Sequence, residues 1–233
     1  MHCQIELIPR GALPADLEDI LWDFLTRLSR SGQVLRDYTI LKQDRYILSV
    51  TLPHADSLDP RHDTVYVRQS RTQLEELFEF RVQAMGENCN SQPYCTCGHR
   101  PALELVTSRM DIDSPVVCCG CGRPVALYEI PFYAHREDHY ELLNWQDDYA
   151  AMDMLWMRCL CDRYTGRQLR DPHSALNRLG RELAADMEQK LWIPVYCHIF
   201  RDRTAVCPGC GEAMTPLRDD LEVCNPCRLS ADR

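Results

Sequence analysis

The residues in this chain best placed to do chemistry are its cysteines. There are 14 in 233 residues, many of them in short-spaced groups. In a reducing compartment such groups point to metal ligation rather than to disulfides. The C-terminal group is Cys207-Pro-Gly-Cys210 followed, after thirteen residues, by Cys224-Asn-Pro-Cys227, the spacing of a zinc ribbon. Each pair sits on a tight knuckle whose backbone N–H groups point at the sulfurs, and Gly209 and Gly211 allow the required angles. The middle group is Cys95-Thr-Cys97-Gly98-His99 followed by Cys118-Cys119-Gly120-Cys121-Gly122. Cys95, Cys97, Cys118 and Cys121 are the predicted set, with Cys119 a bystander and His99 a substitute should Cys95 or Cys97 fail to reach. Two Zn²⁺ ions per chain are therefore expected. With four protein thiolates around each, no position is left for a reactive water, so the expected role is structural.

The other thiols read more plainly. Cys89 is expected to be free, Cys3 isolated, and Cys197 one residue of a strand. Cys159 and Cys161 are expected on a helix, where residues two apart point about 200° from one another and cannot share an ion. His135-Arg-Glu-Asp-His139 has two histidines four apart, but a zinc protease needs glutamate directly after the first. No Gly-x-Ser-x-Gly elbow, P-loop or Gly-x-Gly-x-x-Gly turn occurs. The expectation is a protein that is not an enzyme.

Charge bears on partners. The formal net charge is -9; eight thiolates and two Zn²⁺ bring it to -9 - 8 + 4 = -13, a poor balance for a generic polyanion binder. Nearly all positive charge is arginine, since Lys42 and Lys190 are the only lysines. One stretch departs from the acidic background: Arg158, Arg163, Arg167, Arg170, Arg178 and Arg181 stand against Asp162 and Asp171, with Tyr164 and His173 interleaved. It is either a face for nucleic acid or an acidic protein, or the partner of the acidic run Glu137–Asp153 across a helix hairpin. The ribbon is not basic, with five arginines against six acids from Arg201 to Arg233.

The elements that position these groups follow from patterning. Gln4–Ile8 reads as a strand. Pro14 opens a helix with Leu17, Ile20, Leu21, Phe24, Leu25 and Leu28 on one face and Gly32 past its end. Tyr38–Leu41 and Tyr46–Leu52 read as strands around a turn at Lys42-Gln43-Asp44. A second helix is expected through Leu74, Leu77, Phe78, Val82 and Met85, stopped by Gly86, with Val65-Tyr66-Val67 as its first turn or a strand. The order β-α-β-β-α predicts an α+β fold, with a helix pair over a small antiparallel sheet. After the central cysteines and the alternating run Val125–Ile130, Glu137–Trp192 is helical. Trp145, Tyr149, Met152, Trp156 and Cys159 form an apolar stripe there, and Asp171-Pro172 begins a further helix. Val195–Phe200 reads as a strand. The expected division is an N-terminal α+β domain (1–88), a central zinc module (89–131), a helical segment plus strand (132–202) and the zinc ribbon (203–233).

Several of these residues resemble the bacterial DUF2310 family. They are Ser114-Pro115-Val116, Cys118-x-x-Cys121, Val125-Ala-Leu-Tyr128-x-Ile-Pro131, Gly166-x-Gln168-Leu169, Ser174-x-Leu176, Gly180-Arg181-x-Leu183, Pro194-Val-Tyr196 and the closing Cys-Pro-x-Cys…Cys-x-x-Cys-Arg-Leu-Ser. The resemblance implies a bacterial, cytoplasmic zinc-ribbon protein with ligands at Cys207, Cys210, Cys224 and Cys227, and nucleic acid as the expected partner. Cys119 stands where that family would have glycine. Without a long apolar run or signal peptide, a soluble protein is expected. The competing expectation is an acidic interaction module (an adaptor, inhibitor or immunity-type protein) that binds a basic protein.

Overall fold

The computed structural model describes residues 1–42, 45–134, 136–200 and 206–233. The expected turn at Gln43-Asp44, the histidine His135 and the boundary at 202/203 lie outside them. The described residues form two sheets, each over its own apolar core.

The first sheet comes from β1 (His2–Pro9), β2 (Thr39–Lys42), β3 (Tyr46–Thr51) and β4 (Phe78–Gly86), in the order β2-β3-β1-β4. All its pairings are antiparallel. Helices α1 (Leu17–Ser31) and α2 (Val65–Leu77) complete a β-α-β-β-α-β chain, the split βαβ or ferredoxin-like topology. Cys3, Ile5 and Leu7 alternate inward from β1 to meet Leu21, Phe24, Leu25 and Leu28 of α1. The α+β class with a small antiparallel sheet is as the patterning predicts. The second helix is not. It starts at Val65, where the Thr64 side chain accepts the Val67 N–H at 3.2 Å, and ends at Leu77. Phe78-Glu-Phe-Arg-Val-Gln-Ala alternates apolar and polar with a period of two, and that period wins over the helical spacing of Leu74 to Met85. Val82 and Met85 are consequently exposed strand residues.

The second sheet is mixed and has six strands: β5 (Leu103–Leu105), β6 (Val116–Cys118), β7 (Val195–His198), β8 (Thr215–Arg218), β9 (Leu221–Cys224) and β10 (Leu229–Asp232). Their order is β6-β5-β7-β10-β9-β8, with β7 parallel to both β5 and β10. Residues from the central cysteine region, the helical segment and the C-terminal ribbon thus share one sheet, and one core cluster runs from Cys95 to Ala231. Packed on it are α3 (Tyr140–Met157), α4 (Asp162–Arg170) and α5 (Ala175–Leu191). Trp145 anchors this layer, fully buried, with its indole N–H donating to the Leu176 carbonyl at 3.2 Å. Gly180 gives it room, since a Cβ there would lie 2.8 Å from the indole nitrogen.

The alternating run Val125–Ile130 holds a short 3-10 turn at Leu127–Glu129. Local expectations change at two places. Asp171-Pro172 does not start a helix: Asp171 ends α4, and Ser174 caps α5 by accepting the Asn177 N–H at 3.1 Å. Cys159 leaves the apolar stripe, because α3 stops at Met157. Cys159 and Cys161, at φ 53° and 57°, then turn the chain into α4, and both thiols are exposed. The helical geometry expected to separate them does not exist.

The two units meet at Gly32, the left-handed residue that ends α1 (φ 84°). A Cβ there would lie 2.4 Å from that of Leu127. Close by, the His139 N–H donates to the Arg30 carbonyl at 2.8 Å and Arg36 donates to the Leu143 carbonyl at 3.2 Å.

Candidate metal centres

Both predicted cysteine sets assemble. One ligand atom from each of Cys95, Cys97, Cys118 and Cys121 lies within 4.8 Å of every other, and the same holds for Cys207, Cys210, Cys224 and Cys227. Cys119 and His99 stand outside. Cys119 turns into a small apolar cluster with Ala102, Tyr196, Leu221 and Val223, where burial pushes its thiol up to about 12. His99 is exposed on the loop beyond Cys97.

The two centres share one construction. In the first, the Cys118 N–H donates to the Arg123 carbonyl at 2.9 Å, the Gly122 N–H returns to Cys118 at 2.8 Å, and Val117 bridges Pro124. In the second, the Cys207 N–H donates to the Glu212 carbonyl at 2.7 Å, the Gly211 N–H returns to Cys207 at 2.8 Å, and Val206 bridges Ala213. The offsets are identical. Gly122 and Gly211 hold the same left-handed place, at φ 69° and 77°, which glycine alone adopts without steric cost. The signal was Cys-x-x-Cys-Gly, present in both modules. Arg228, at φ 53°, takes the equivalent place after Cys227, held by a bidentate pair with Glu188 at 2.9 to 3.2 Å.

Electrostatics say what these sets can hold. Burial pushes the Cys95 thiol up, but the Cys97 N–H and Arg100 outweigh it and bring it down to about 7. Burial likewise opposes ionisation of Cys207, and the Cys210 and Gly209 N–H groups turn the balance downward. Others move the opposite way: burial and neighbouring thiols hold Cys118 and Cys121 up, Cys224 at about 11 and Cys227 at about 12. Thiolates gathered this closely repel one another, and a cation at the centre of each tetrad relieves that charge. Four soft sulfur donors in each set suit Zn²⁺ in a closed tetrahedral site.

The centres sit at the two ends of one curled sheet. β6 and β8 are its opposite edges, yet the Arg218 guanidinium of β8 packs on Gly122 of the first knuckle, 2.9 Å from where a Cβ would stand. Inside the curl, the buried Glu104 carboxylate accepts the Ser230 hydroxyl at 2.8 Å and meets the His198 ring at 3.1 Å. Glu104 and His198 edge a hollow of about 190 Å³ together with Asp113, Arg218 and Asp232. Nothing in the sequence joins residues 104, 198 and 230; only the strand order does.

The predicted arginine face divides. Arg158, Arg163, Arg167 and Arg178 are exposed, as is Tyr164 between Arg163 and Arg167 on α4. Arg170 is partly buried and lies over the rings of Trp156 and Phe200 at 5.3 and 5.2 Å. Arg181 is half-buried, and with Arg178 and Arg228 it lines a groove of about 630 Å³ between α5 and the Cys227 knuckle. Acids of the 137–153 run turn elsewhere: Asp147 to Arg36, Glu141 to Arg136, and Asp153 to the Arg109 N–H.

Residues 98–200 match the family model described as a domain of unknown function, DUF2310. The matched segment includes Cys118 and Cys121 and helices α3 to α5, but neither Cys95 and Cys97 nor the ribbon cysteines. Two proteins of Haemophilus influenzae, each described as uncharacterized, are similar over most of the chain. One is 25% identical over 79% of this chain and 76% of its own length, the other 26% identical over 74% and 90%. A solved structure of Rv0793 from Mycobacterium tuberculosis aligns with 38% of this chain and 96% of its own, at 18% identity and a TM-score of 0.31. No helix among the described residues is long and apolar enough to cross a membrane.

Proposed function

We propose that this chain is a non-catalytic zinc-ribbon protein, with one structural Zn²⁺ in each cysteine tetrad and nucleic acid bound across its α4–α5 face. The metal reading is carried by eight sulfurs gathered into two closed sets of four. The partner reading rests on exposed arginines flanking an exposed tyrosine on α4, with Arg178 and Arg181 continuing onto the groove beside the second knuckle. Guanidinium groups track phosphates, and an aromatic ring between them offers a base a stacking surface.

A salt titration with single-stranded and duplex DNA and RNA tests the partner. Binding should weaken steeply as salt rises, and Arg163→Glu with Arg167→Glu should abolish it. Arg170 is left intact because it packs on Trp156 and Phe200. No binding at low salt, or unchanged affinity in the double variant, removes nucleic acid from this face. The net charge of -13 with zinc supports a second reading, in which the acidic surface meets a basic protein. That reading predicts capture by a basic partner unaffected by the same variant.

A further inference from the structure

The two sheets present four edges, and three are blunted against pairing. β2 is four residues long and ends in Lys42, paired with Glu18 at 2.7 Å. β6 has three residues and runs straight into a knuckle. β8 carries Pro216 and a register shift. Short length, lysine, proline and bulges are the usual devices that keep sheet edges apart. β4 has neither lysine nor proline, and its one register shift, at Met85, leaves Phe78–Ala84 regular. It pairs with β1 on one side and with no described strand on the other. From Arg81 to Gly86 every residue is exposed, including Val82 at 57% and Met85 at 49%.

We propose that β4 is the contact of a two-fold homodimer, in which the strands of two copies pair antiparallel about Val82 and extend the sheet from four strands to eight. The occupant is set by the strand's own pattern. Pairing about Val82 uses the regular stretch Phe80–Ala84 and sets Phe80 against the partner's Ala84, large against small. Arg81 faces the partner's Gln83, so no charge meets its like directly across the ladder. Val82 lies opposite Ile5 in the register with β1, so a Val82–Val82 contact continues the apolar layer under the helices. Glu79 and Arg81 already pair with each other at 3.3 Å, which leaves the strand neutral in a chain of net charge -9. A strongly charged partner strand finds no counter-charge here; a second copy finds none to oppose it. This inference involves neither the metal centres nor the arginine face.

Sedimentation velocity on the full zinc-loaded chain tests it, with an expected mass twice 27.1 kDa. Val82→Lys, at a position exposed in the single copy, should leave the fold intact by circular dichroism. It should raise the dimer dissociation constant about a hundredfold, since two valines lose burial and two ammonium groups oppose each other. Met157→Lys, an exposed apolar residue on α3, should leave the dimer unchanged. The register has its own readout. After mild oxidation, Val82→Cys should give a disulfide joining the substituted positions of the two copies, found by peptide mass spectrometry. Gln83→Cys should give no such link between its own two copies. A monomer up to the solubility limit overturns the proposal. So does a dimer indifferent to Val82→Lys, or one whose Val82→Cys form never cross-links at that position.

Discussion

Replacing Cys207 and Cys210 by serine removes half of the second tetrad, and the strands around it should then come apart. The hairpin β8–β9 and strand β10 bury Met214, Leu221, Val223 and Leu229 to 8% exposure or less. At about 1.5 to 3 kcal/mol for each buried side chain, these contribute roughly 6 to 12 kcal/mol. A structural zinc adds on the order of 10 to 16 kcal/mol of apparent binding energy to the fold it closes. Either figure is comparable with the whole stability of a domain, about 5 to 15 kcal/mol, so the ribbon should not stay ordered without its ion. Because β10 lies between β7 and β9, its release should also expose β7 and the face of α5 against it. The first sheet has a separate core cluster and should persist. Plasma mass spectrometry should count two zincs in the parent and one in the variant. Hydrogen exchange should show protection lost across β7–β10 and kept in β1 and β3. Two ions still bound in the variant, or β10 amides still protected, would refute the reasoning.

His139 is buried, and desolvation holds it at about 4 against the ordinary 6.5, although its ring N–H donates to the Leu127 carbonyl at 2.8 Å. Its neutral form belongs to the folded state, so its contribution is whole above about 6.5 and is lost as pH falls toward 4. The loss is about 3 kcal/mol, and His139→Gln should flatten urea stability between pH 7 and pH 4 by that amount. In native, metal-loaded protein, iodoacetamide should label Cys89, Cys159 and Cys161, which are exposed, and spare Cys3, Cys119 and Cys197, which are buried. Rapid labelling of Cys119, read by peptide mapping, would contradict its packing. Gly180→Ala should cost about 1 to 3 kcal/mol, because its Cβ would press on Trp145 and on the Cys197 sulfur at 3.0 Å. An unchanged melting temperature would show that the indole has room to move.

The cysteine sets were legible in sequence because ligand chemistry confines them to short local spacings, and short spacings survive folding. Periodicity located α1 for a similar reason: its whole stripe faces one core. The boundary between α2 and β4 was not legible from helical spacing, because Leu74, Leu77, Phe78, Val82 and Met85 satisfy one period while Phe78, Phe80 and Val82 satisfy another, and pairing with β1 decides between them. Asp171 offered a capping side chain, yet Ser174 caps α5, a choice set by how α4 and α5 pack. The largest gap was the second sheet. Three segments that read as separate modules contribute strands to it, and the parallel pairing of β5 with β7 joins residues about ninety apart in sequence, such as Leu103 and Val195. No local pattern encodes that.

With zinc in both tetrads as proposed, the seat of Arg218 on Gly122 would tie the loading of one ion to that of the other. A molecule holding zinc only at the first knuckle leaves the strand bearing Arg218 without its anchor, and a molecule holding it only in the ribbon presses that strand against a loop not yet set. Each ion would therefore improve the hold on the other, and by reciprocity to the same degree in both directions. Half-filled molecules would then be scarce, and a population titrated with a chelator should pass from full to empty over a narrower range of free zinc than two separate ribbons would.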